Sequence, residues 1–159
     1  MRKLDIYTDG SFDRQTDRCT GAYIAVEDDK VLFCGKVILE KQMYKESWNV
    51  SAELMTVLVA VTRTAQIFED IEAEITVVHD YIGVSSYVSG DRPWKAKKQI
   101  PVIYTMGINK FREDNKNIHI SFRKVKGHSG DKYNDMVDRL ANGITTVSCH
   151  GKMLPDTVL

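Results

Sequence analysis

Hydrophobic and polar residues along the chain alternate with a period of two in some segments and recur at helical spacing in others. Residues 4–9 alternate in polarity and predict a first strand, which we expect a Gly-Ser pair to end. Residues 21–27 and 31–39 predict two further strands, joined by a tight turn at Asp28-Asp29. The first quarter of the chain is therefore predicted to form an antiparallel meander.

Helical spacing replaces the alternation after the third strand. Apolar residues recur at this spacing over 50–68, with Ser47 as the expected N-cap. A short apolar run at 74–80 then suits a buried central strand. The remaining pattern predicts a short helix, a longer helix, a fifth strand, a loop, a final helix and a loosely ordered tail, at 81–88, 98–114, 118–125, 127–130, 131–146 and beyond 148 respectively.

The order of these elements predicts an α/β fold built on a five-stranded mixed sheet. The helices that follow the third and fourth strands are crossovers, so the strands after them can lie parallel to the first strand. Crossovers of this kind are almost always right-handed. We therefore expect helices on both faces of the sheet.

This topology brings the most suggestive polar residues to one end of the sheet. Asp9 and Asp80 each end a strand, and Glu53 lies in the first two turns of the helix that starts at the same end. His128 lies in the loop that leaves the fifth strand, and Asp138 lies about two turns into the final helix. The crevice at the carboxyl ends of parallel strands is where open α/β sheets bind ligands.

Four carboxylates in one crevice repel each other strongly. At about 4 Å and an effective dielectric constant near 20, each pair costs roughly 4 kcal/mol. Several such pairs would rival the total stability of a domain, so either some carboxyls are protonated or a cation neutralises them. Carboxylates without clustered Cys or His favour Mg²⁺ first and Mn²⁺ second. Two such ions can activate a water and stabilise the leaving oxygen of a phosphodiester.

Composition changes this picture little. The 159 residues predict a single domain, with 43% hydrophobic and 28% charged residues. The apolar runs are short of the roughly 20 residues of a membrane span, and the first residues lack an apolar signal region, so we expect a cytoplasmic protein without a membrane partner. The 22 basic residues equal the 22 acidic ones, which argues against a nucleic-acid coat protein and leaves a nuclease open. Three cysteines without CxxC spacing favour reduced thiols.

Five motifs in this order resemble type 1 ribonuclease H over about residues 3–146. They are TDGS at 8–11, AEL at 52–54, HD at 79–80, VKGHSGD at 125–131 and YNDMVDRLA at 133–141. Each motif alone is weak, and the ordered set with matching strands and helices is specific. The resemblance implies a ribonuclease H-like fold with strand order 3-2-1-4-5, a catalytic domain over 1–147 and a C-terminal tail over 148–159.

The resemblance also implies the activity. It predicts an endoribonuclease that hydrolyses the RNA strand of RNA–DNA hybrids with two Mg²⁺ ions and leaves 5′-phosphate and 3′-hydroxyl ends. The metal ligands would be Asp9, Glu53, Asp80 and Asp138, with Asp9 bridging both ions. His128 would be the fifth catalytic residue and would assist proton movement or product release.

Residues expected to bind the hybrid lie around this site. Asn49 matches a residue that contacts RNA in the family, and the remaining candidates are Ser11, Asn134, Trp94, Lys95, Lys97 and Lys98. The chain departs from the family in two places. The loop at 12–20 is not Gly-rich, and the region at 90–98 is too short for the basic protrusion of many members. The lysines near Trp94 would then hold the DNA strand in its place.

Two rival interpretations stay open at this point. A DNA nuclease or resolvase can share this sheet and acidic crevice, and a non-catalytic module can keep the shape alone. The VKGHSGD loop and the absence of added domains favour ribonuclease H over the first rival. The five filled catalytic positions argue against the second. We expect a monomer, and the cellular task and preferred metal do not follow from the sequence.

Overall fold

A computed structural model describes residues 1–91, 98–127, 129–143 and 151–159. The elements follow one another as expected for an α/β chain. In chain order they are β1 (Arg2–Asp13), β2 (Arg18–Glu27), β3 (Lys30–Leu39), α1 (Lys41–Tyr44), α2 (Asn49–Ile67), β4 (Ala73–His79), α3 (Gly83–Ser89), α4 (Gln99–Asp114), β5 (Ile118–Lys124), α5 (Lys132–Ala141), β6 (Lys152–Met153) and β7 (Thr157–Val158).

The five long strands form a mixed sheet in the order β5-β4-β1-β2-β3. β1 pairs antiparallel with β2, and β2 pairs antiparallel with β3. The predicted turn joins β2 to β3, and its residues Asp28 and Asp29 have φ of 50° and 60°. β4 pairs parallel with β1, and β5 pairs parallel with β4. This confirms the predicted strand order 3-2-1-4-5, and the helices after β3 and β4 are the crossovers that make the parallel pairs possible.

Alternation along β1 divides the core into two layers. Leu4 and Ile6 face the layer that contains α2, α3 and α4, whereas Tyr7 faces the layer beneath α5. Each side chain reaches the opposite face from its neighbour because successive Cβ atoms of a strand point to opposite sides. Helices therefore cover both faces, as predicted.

α2 is the central helix of the larger layer. Eleven of its residues are buried. Of the helices in the described ranges, it alone is long and apolar enough to cross a bilayer. Because 56% of its most apolar window is buried inside the protein, its composition also fits a core helix. The predicted N-cap is wrong. Trp48 occupies the cap position with φ 43° and ψ −116°. Ser47 lies one residue earlier, and its buried hydroxyl has no hydrogen-bond partner among the described residues. The short helix α1, which the sequence pattern did not predict, leads into this cap.

β1 continues four residues beyond its predicted end. Gly10 pairs with Gly21 of β2 and lies in the middle of the ladder, not at a turn. A Cβ on Gly10 would lie 2.5 Å from the backbone nitrogen of Glu53, so the glycine is needed because α2 crosses β1 closely here. The correction matters for the site because this contact fixes the height of Glu53 above the strand.

The tail was expected to be loosely ordered, but residues 151–159 add two short strands to the edge of the sheet. β6 and β7 each pair parallel with β3. The backbone N–H of Leu154 donates to the carbonyl of Cys34 at 2.8 Å, and the Leu154 side chain is buried. The segment satisfies the polar groups of an edge strand that would otherwise face solvent.

Candidate active site

Three acidic side chains meet where the carboxyl end of β4 lies beside β1. One oxygen from each of Asp9, Glu53 and Asp80 lies within 4.8 Å of the other two. Asp9 is 3% exposed and Glu53 is 6% exposed. The cluster is therefore a largely dehydrated set of hard oxygen donors, which is the donor chemistry of a divalent cation site.

Strand register brings the two aspartates together. Tyr7 of β1 pairs with Val78 of the parallel strand β4. Asp9, inside β1, and Asp80, just after β4, each lie two residues beyond this pair, so they lie side by side on the same face of the sheet. Glu53 reaches them from the second turn of α2, where the Gly10 contact holds the helix against β1. The predicted meeting of these three residues is confirmed.

Burial raises the pKa of Asp9 to about 7, and the carboxylates of Asp138 and Asp80 add to the effect. The Gly10 N–H, which donates to Asp9 Oδ1 at 2.9 Å, and Glu53 act in the opposite direction. Without a cation, Asp9 therefore holds a proton at pH values where an ordinary aspartate is ionised.

Glu53 is under the same pressure. Burial, followed by the charges of Asp9 and Asp80, raises its pKa well above the usual range. Its Oε2 atom is buried and has no hydrogen-bond partner among the described residues. An unpaired buried carboxylate oxygen close to two other carboxylates reduces stability unless a proton or a cation binds to it.

Asp138 closes the cluster from α5. Its carboxyl helps to raise the pKa of Asp9, although Asp138 is not among the three residues whose oxygens lie within 4.8 Å of one another. Asn142, one helical turn later, donates through Nδ2 to the Asp138 backbone carbonyl at 2.8 Å and to its Oδ1 at 3.3 Å. The Oδ1 atom of Asn142 accepts the hydroxyl of Ser11 at 2.6 Å. Asn142 thus ties the fourth carboxylate to β1, a role that its position in the sequence did not suggest.

The predicted substrate residues fall into four groups. Ser11 and Asn49 lie beside the carboxylates, and Lys98 is exposed at the start of α4. Asn134 is 1% exposed, so its side chain faces the core, where its Oδ1 has no partner among the described residues. Four predicted residues lie outside the described residues, namely Trp94, Lys95, Lys97 and His128. The preceding Gly127 is described, and a Cβ there would lie 3.2 Å from Asp80 Oδ2.

A cleft of about 370 Å³ lies between Asp138 and the start of α2. Asp138 and Asn142 line one part of it, and Asn49, Trp48 and Arg14 line the other. Sequence patterns did not single out Trp48 or Arg14. The signal in hindsight is a tryptophan directly before the predicted substrate residue Asn49 and an arginine in the loop that departs from the family.

The family model for RNase H matches residues 1–145. The chain belongs to the RNase H family. Membership indicates a nuclease that acts on the RNA of RNA–DNA hybrids, and the RNase H family is in general dependent on divalent metal ions. No curated protein sequence matches the chain.

Solved RNase H structures share the fold. RNase H1 from the halophilic archaeon Halobacterium salinarum NRC-1 has a TM-score of 0.67 and 17% identity, covering 89% of this chain and 96% of its own. LC11-RNase H1 in complex with an RNA/DNA hybrid has a TM-score of 0.70 and 15% identity, covering 88% and 94%. The N-terminal RNase H domain of rv2228c from Mycobacterium tuberculosis has a TM-score of 0.67 and 18% identity, covering 94% and 98%.

The carboxylates fit the metal that the RNase H family uses. The set offers oxygen donors from three elements, and the unsatisfied Glu53 Oε2 is a donor in need of a partner. Burial, and after it the neighbouring carboxylates, raises the pKa of both Asp9 and Glu53, and a divalent cation would stabilise their ionised forms.

Proposed function

We propose that this protein is a metal-dependent endoribonuclease that hydrolyses the RNA strand of RNA–DNA hybrids and leaves 5′-phosphate and 3′-hydroxyl ends. The observation that carries the proposal is the meeting of Asp9, Glu53 and Asp80 within 4.8 Å at the strand ends of a chain in the RNase H family. LC11-RNase H1, which shares the fold, is solved in complex with an RNA/DNA hybrid, and this supports the same substrate here.

Four carboxylates would hold two Mg²⁺ ions, with Mn²⁺ as an alternative. Asp9 is the most central because it lies within reach of Glu53, Asp80 and Asp138. When bound, the metal supplies the charge that lowers the pKa of a water and neutralises the leaving oxygen of a phosphodiester. The protein contributes fixed positions for these charges, since β1, α2 and α5 each hold one carboxylate and the fourth directly follows β4.

Residues around the cluster would orient the hybrid. Asn49 is exposed in the cleft beside Asp138, where it could donate to a ribose hydroxyl displayed in the wide minor groove of the hybrid. Lys98, with Trp94, Lys95 and Lys97, would hold the DNA strand. His128 would assist proton movement or product release from the loop beside Asp80. Recognition would depend on backbone shape, with little base preference.

The deciding experiment is cleavage of an end-labelled RNA–DNA hybrid with Mg²⁺, beside RNA–RNA and DNA–DNA duplexes of the same sequence. We expect cutting of the RNA strand of the hybrid alone, and none in EDTA. Extension of the cut RNA by a polymerase would establish the 3′-hydroxyl end. Cutting of both hybrid strands would contradict the proposal.

A DNA four-way junction serves as the competing substrate in the same assay. A resolvase or DNA nuclease with this sheet would cut the junction in preference to the hybrid. A well-folded protein that cuts only the junction would assign the site to the rival. A protein that binds the hybrid without metal-dependent turnover would be a hybrid-binding module.

A further inference from the structure

Trp48 adopts a backbone conformation that glycine normally takes. Its φ of 43° and ψ of −116° match the first corner of a type II′ turn, and the Val50 N–H donates to the Ser47 carbonyl at 2.9 Å across that turn. A bulky residue in this region costs of order 1–3 kcal/mol, and such strain persists where the surroundings hold it in place.

Hydrogen bonds on both sides hold this conformation. The Trp48 N–H donates to the Tyr44 carbonyl at 2.7 Å. The Trp48 carbonyl accepts the Ser51 N–H at 3.0 Å and the Cys19 thiol at 3.4 Å. The backbone is thus fixed independently of the indole, so the side chain is free to serve another purpose.

The indole points to solvent and not to the core. Trp48 is 53% exposed, and its ring contacts no other aromatic ring or cation within the described ranges. The strained turn therefore leaves about half of a large apolar side chain without packing contacts in the free protein. Trp48 lines the cleft that also contains Asn49 and the carboxylate of Asp138.

Arg14 lines the same cleft and is also exposed. Its guanidinium forms no ion pair with any acidic side chain that the structure describes. An unpaired cation and an unpaired aromatic face around one cleft are the two groups that a nucleotide needs, since the cation binds the phosphate and the aromatic face packs on a flat or apolar surface.

We propose that Trp48 and Arg14 form a nucleotide subsite beside the carboxylates, in which the indole packs on a sugar ring of the hybrid and Arg14 binds the adjoining phosphate. Inside a duplex the bases are stacked on each other, so the sugar edge of the minor groove is the surface that an indole can reach. The inference rests on the proposed function because it assumes that a hybrid occupies the cleft.

The test measures binding in EDTA, so turnover does not enter. A labelled RNA–DNA hybrid is titrated with the natural chain, Trp48→Ala, Trp48→Phe and Trp48→Gly. We expect Kd to rise about 5-fold in Trp48→Ala and Trp48→Gly, the lower end of what a stacked base contributes, and less in Trp48→Phe, which keeps a ring. In a Trp94→Phe background, where Trp48 is the single tryptophan, the hybrid is expected to change the indole emission.

Arg14→Ala tests the phosphate contact through salt. Each phosphate contact contributes about 0.9 to the slope of log K against log salt, so we expect the slope to fall by about this amount. Lys116→Ala removes the same charge from an exposed position before β5, at the other end of the sheet, and is expected to leave the slope unchanged.

Thermal unfolding separates a binding role from a structural one. Glycine accepts the Trp48 backbone conformation, so Trp48→Gly is expected to unfold at the same or a higher temperature while it binds the hybrid more weakly. Unchanged affinity in Trp48→Ala and Trp48→Gly, or unchanged Trp48 emission at saturation, would overturn the subsite even if the natural chain cuts hybrids.

Matched RNA–RNA and DNA–DNA duplexes identify the strand. If Trp48→Ala weakens binding of the hybrid and of the DNA–DNA duplex but not of the RNA–RNA duplex, the contacted sugar belongs to the DNA strand. A loss for the RNA–RNA duplex alone assigns it to the RNA strand. If the natural chain binds the hybrid through Trp48 but does not cut it, the subsite stands and the proposed function is contradicted.

Discussion

Asp80 differs from the other two clustered carboxylates because it is only half-buried. Asp80→Asn keeps the shape and removes one negative charge and one ligand. We expect hybrid cleavage to fall at least about 100-fold, since losing even an indirect partner of a metal ligand costs 10- to 100-fold. In EDTA the unfolding free energy is expected to rise by about 1 kcal/mol because repulsion decreases.

Asp70→Asn is the matched control for this change. Asp70 is exposed at the opposite end of the sheet, and asparagine tolerates its φ of 61°. We expect unchanged cleavage and unchanged stability in this variant. Near-normal turnover of Asp80→Asn would show that Asp80 is not a required metal ligand.

The raised pKa of Asp9 predicts a pH-dependent stability in the absence of metal. The pKa is about 7 in the folded protein against an ordinary value of 3.8, so the folded state holds more protons than the unfolded chain between these values. The unfolding free energy therefore decreases as pH rises from about 4 to about 7. Mg²⁺ is expected to abolish this decrease because it replaces the proton.

Thermal unfolding in EDTA across this range checks the prediction against Asp9→Asn. Burial lowers the pKa of His79 from 6.5 to about 4, so this residue makes the unfolding free energy increase with pH between these values. The natural chain and Asp9→Asn share this contribution. The difference between them therefore reports the Asp9–Glu53 pair. Parallel curves for the two proteins would show that Asp9 is ionised throughout.

Residue patterns predicted which side chains meet, but not what supports them. Asp9 and Asp80 were predictable because the strand order makes β1 and β4 parallel neighbours, although Asp9 lies inside β1 and does not end it. Trp48 and Asn142 were not, since one depends on a strained turn and the other on a hydrogen bond from α5 to β1. Such roles depend on distances across the fold that no spacing in the chain expresses.

At the scale of elements, the crossing of α2 over β1 controls the site. Gly10→Ala would place a Cβ 2.5 Å from the Glu53 backbone nitrogen and 2.7 Å from the Ala52 carbonyl carbon, so one backbone must move. We expect a loss of about 1–3 kcal/mol in stability and weaker Mg²⁺ binding, because Glu53 is displaced from Asp9. Calorimetric titration and chemical unfolding measure the two effects.

Gly107→Ala is the control for added volume between elements. Its Cβ would meet the flexible end of the Leu58 side chain between α4 and α2, away from the carboxylates. We expect Mg²⁺ affinity to stay unchanged in this variant whatever its stability. Equal losses of affinity in both variants would mean that general loosening, and not the position of Glu53, is responsible.

Element boundaries show where sequence patterns mislead. Gly10-Ser11 resembles the end of a strand because glycine and serine favour turns, yet here the glycine permits close packing within a strand. α1 is too short for a helical period to be detected. The strand order was predictable because few right-handed connections satisfy the observed order of elements.

At the scale of the molecule, the C-terminal strands complete the sheet. Leu154 is buried between them, and Leu154→Ala is expected to reduce the unfolding free energy by about 2 kcal/mol through lost apolar contact. Turnover at saturating hybrid is expected to stay unchanged because the carboxylates lie at other strands. Chemical unfolding of Leu154→Ala and of Lys152→Ala, whose side chain is exposed, checks this. Equal stability of the two variants would mean that the tail is not docked.

The parallel pairing of β1 with β4 also governs how the protein folds. Asp9 and Asp80 become neighbours only after the meander, α2 and β4 have assembled, and Asp138 joins from near the other end of the chain. Contacts this distant in sequence form late and slow the folding reaction. A cation that needs all four carboxylates would not bind to the early, partly folded chain, because its binding site has not yet assembled. Mg²⁺ would therefore prolong the lifetime of the native state by slowing its unfolding, while the rate of folding would barely change.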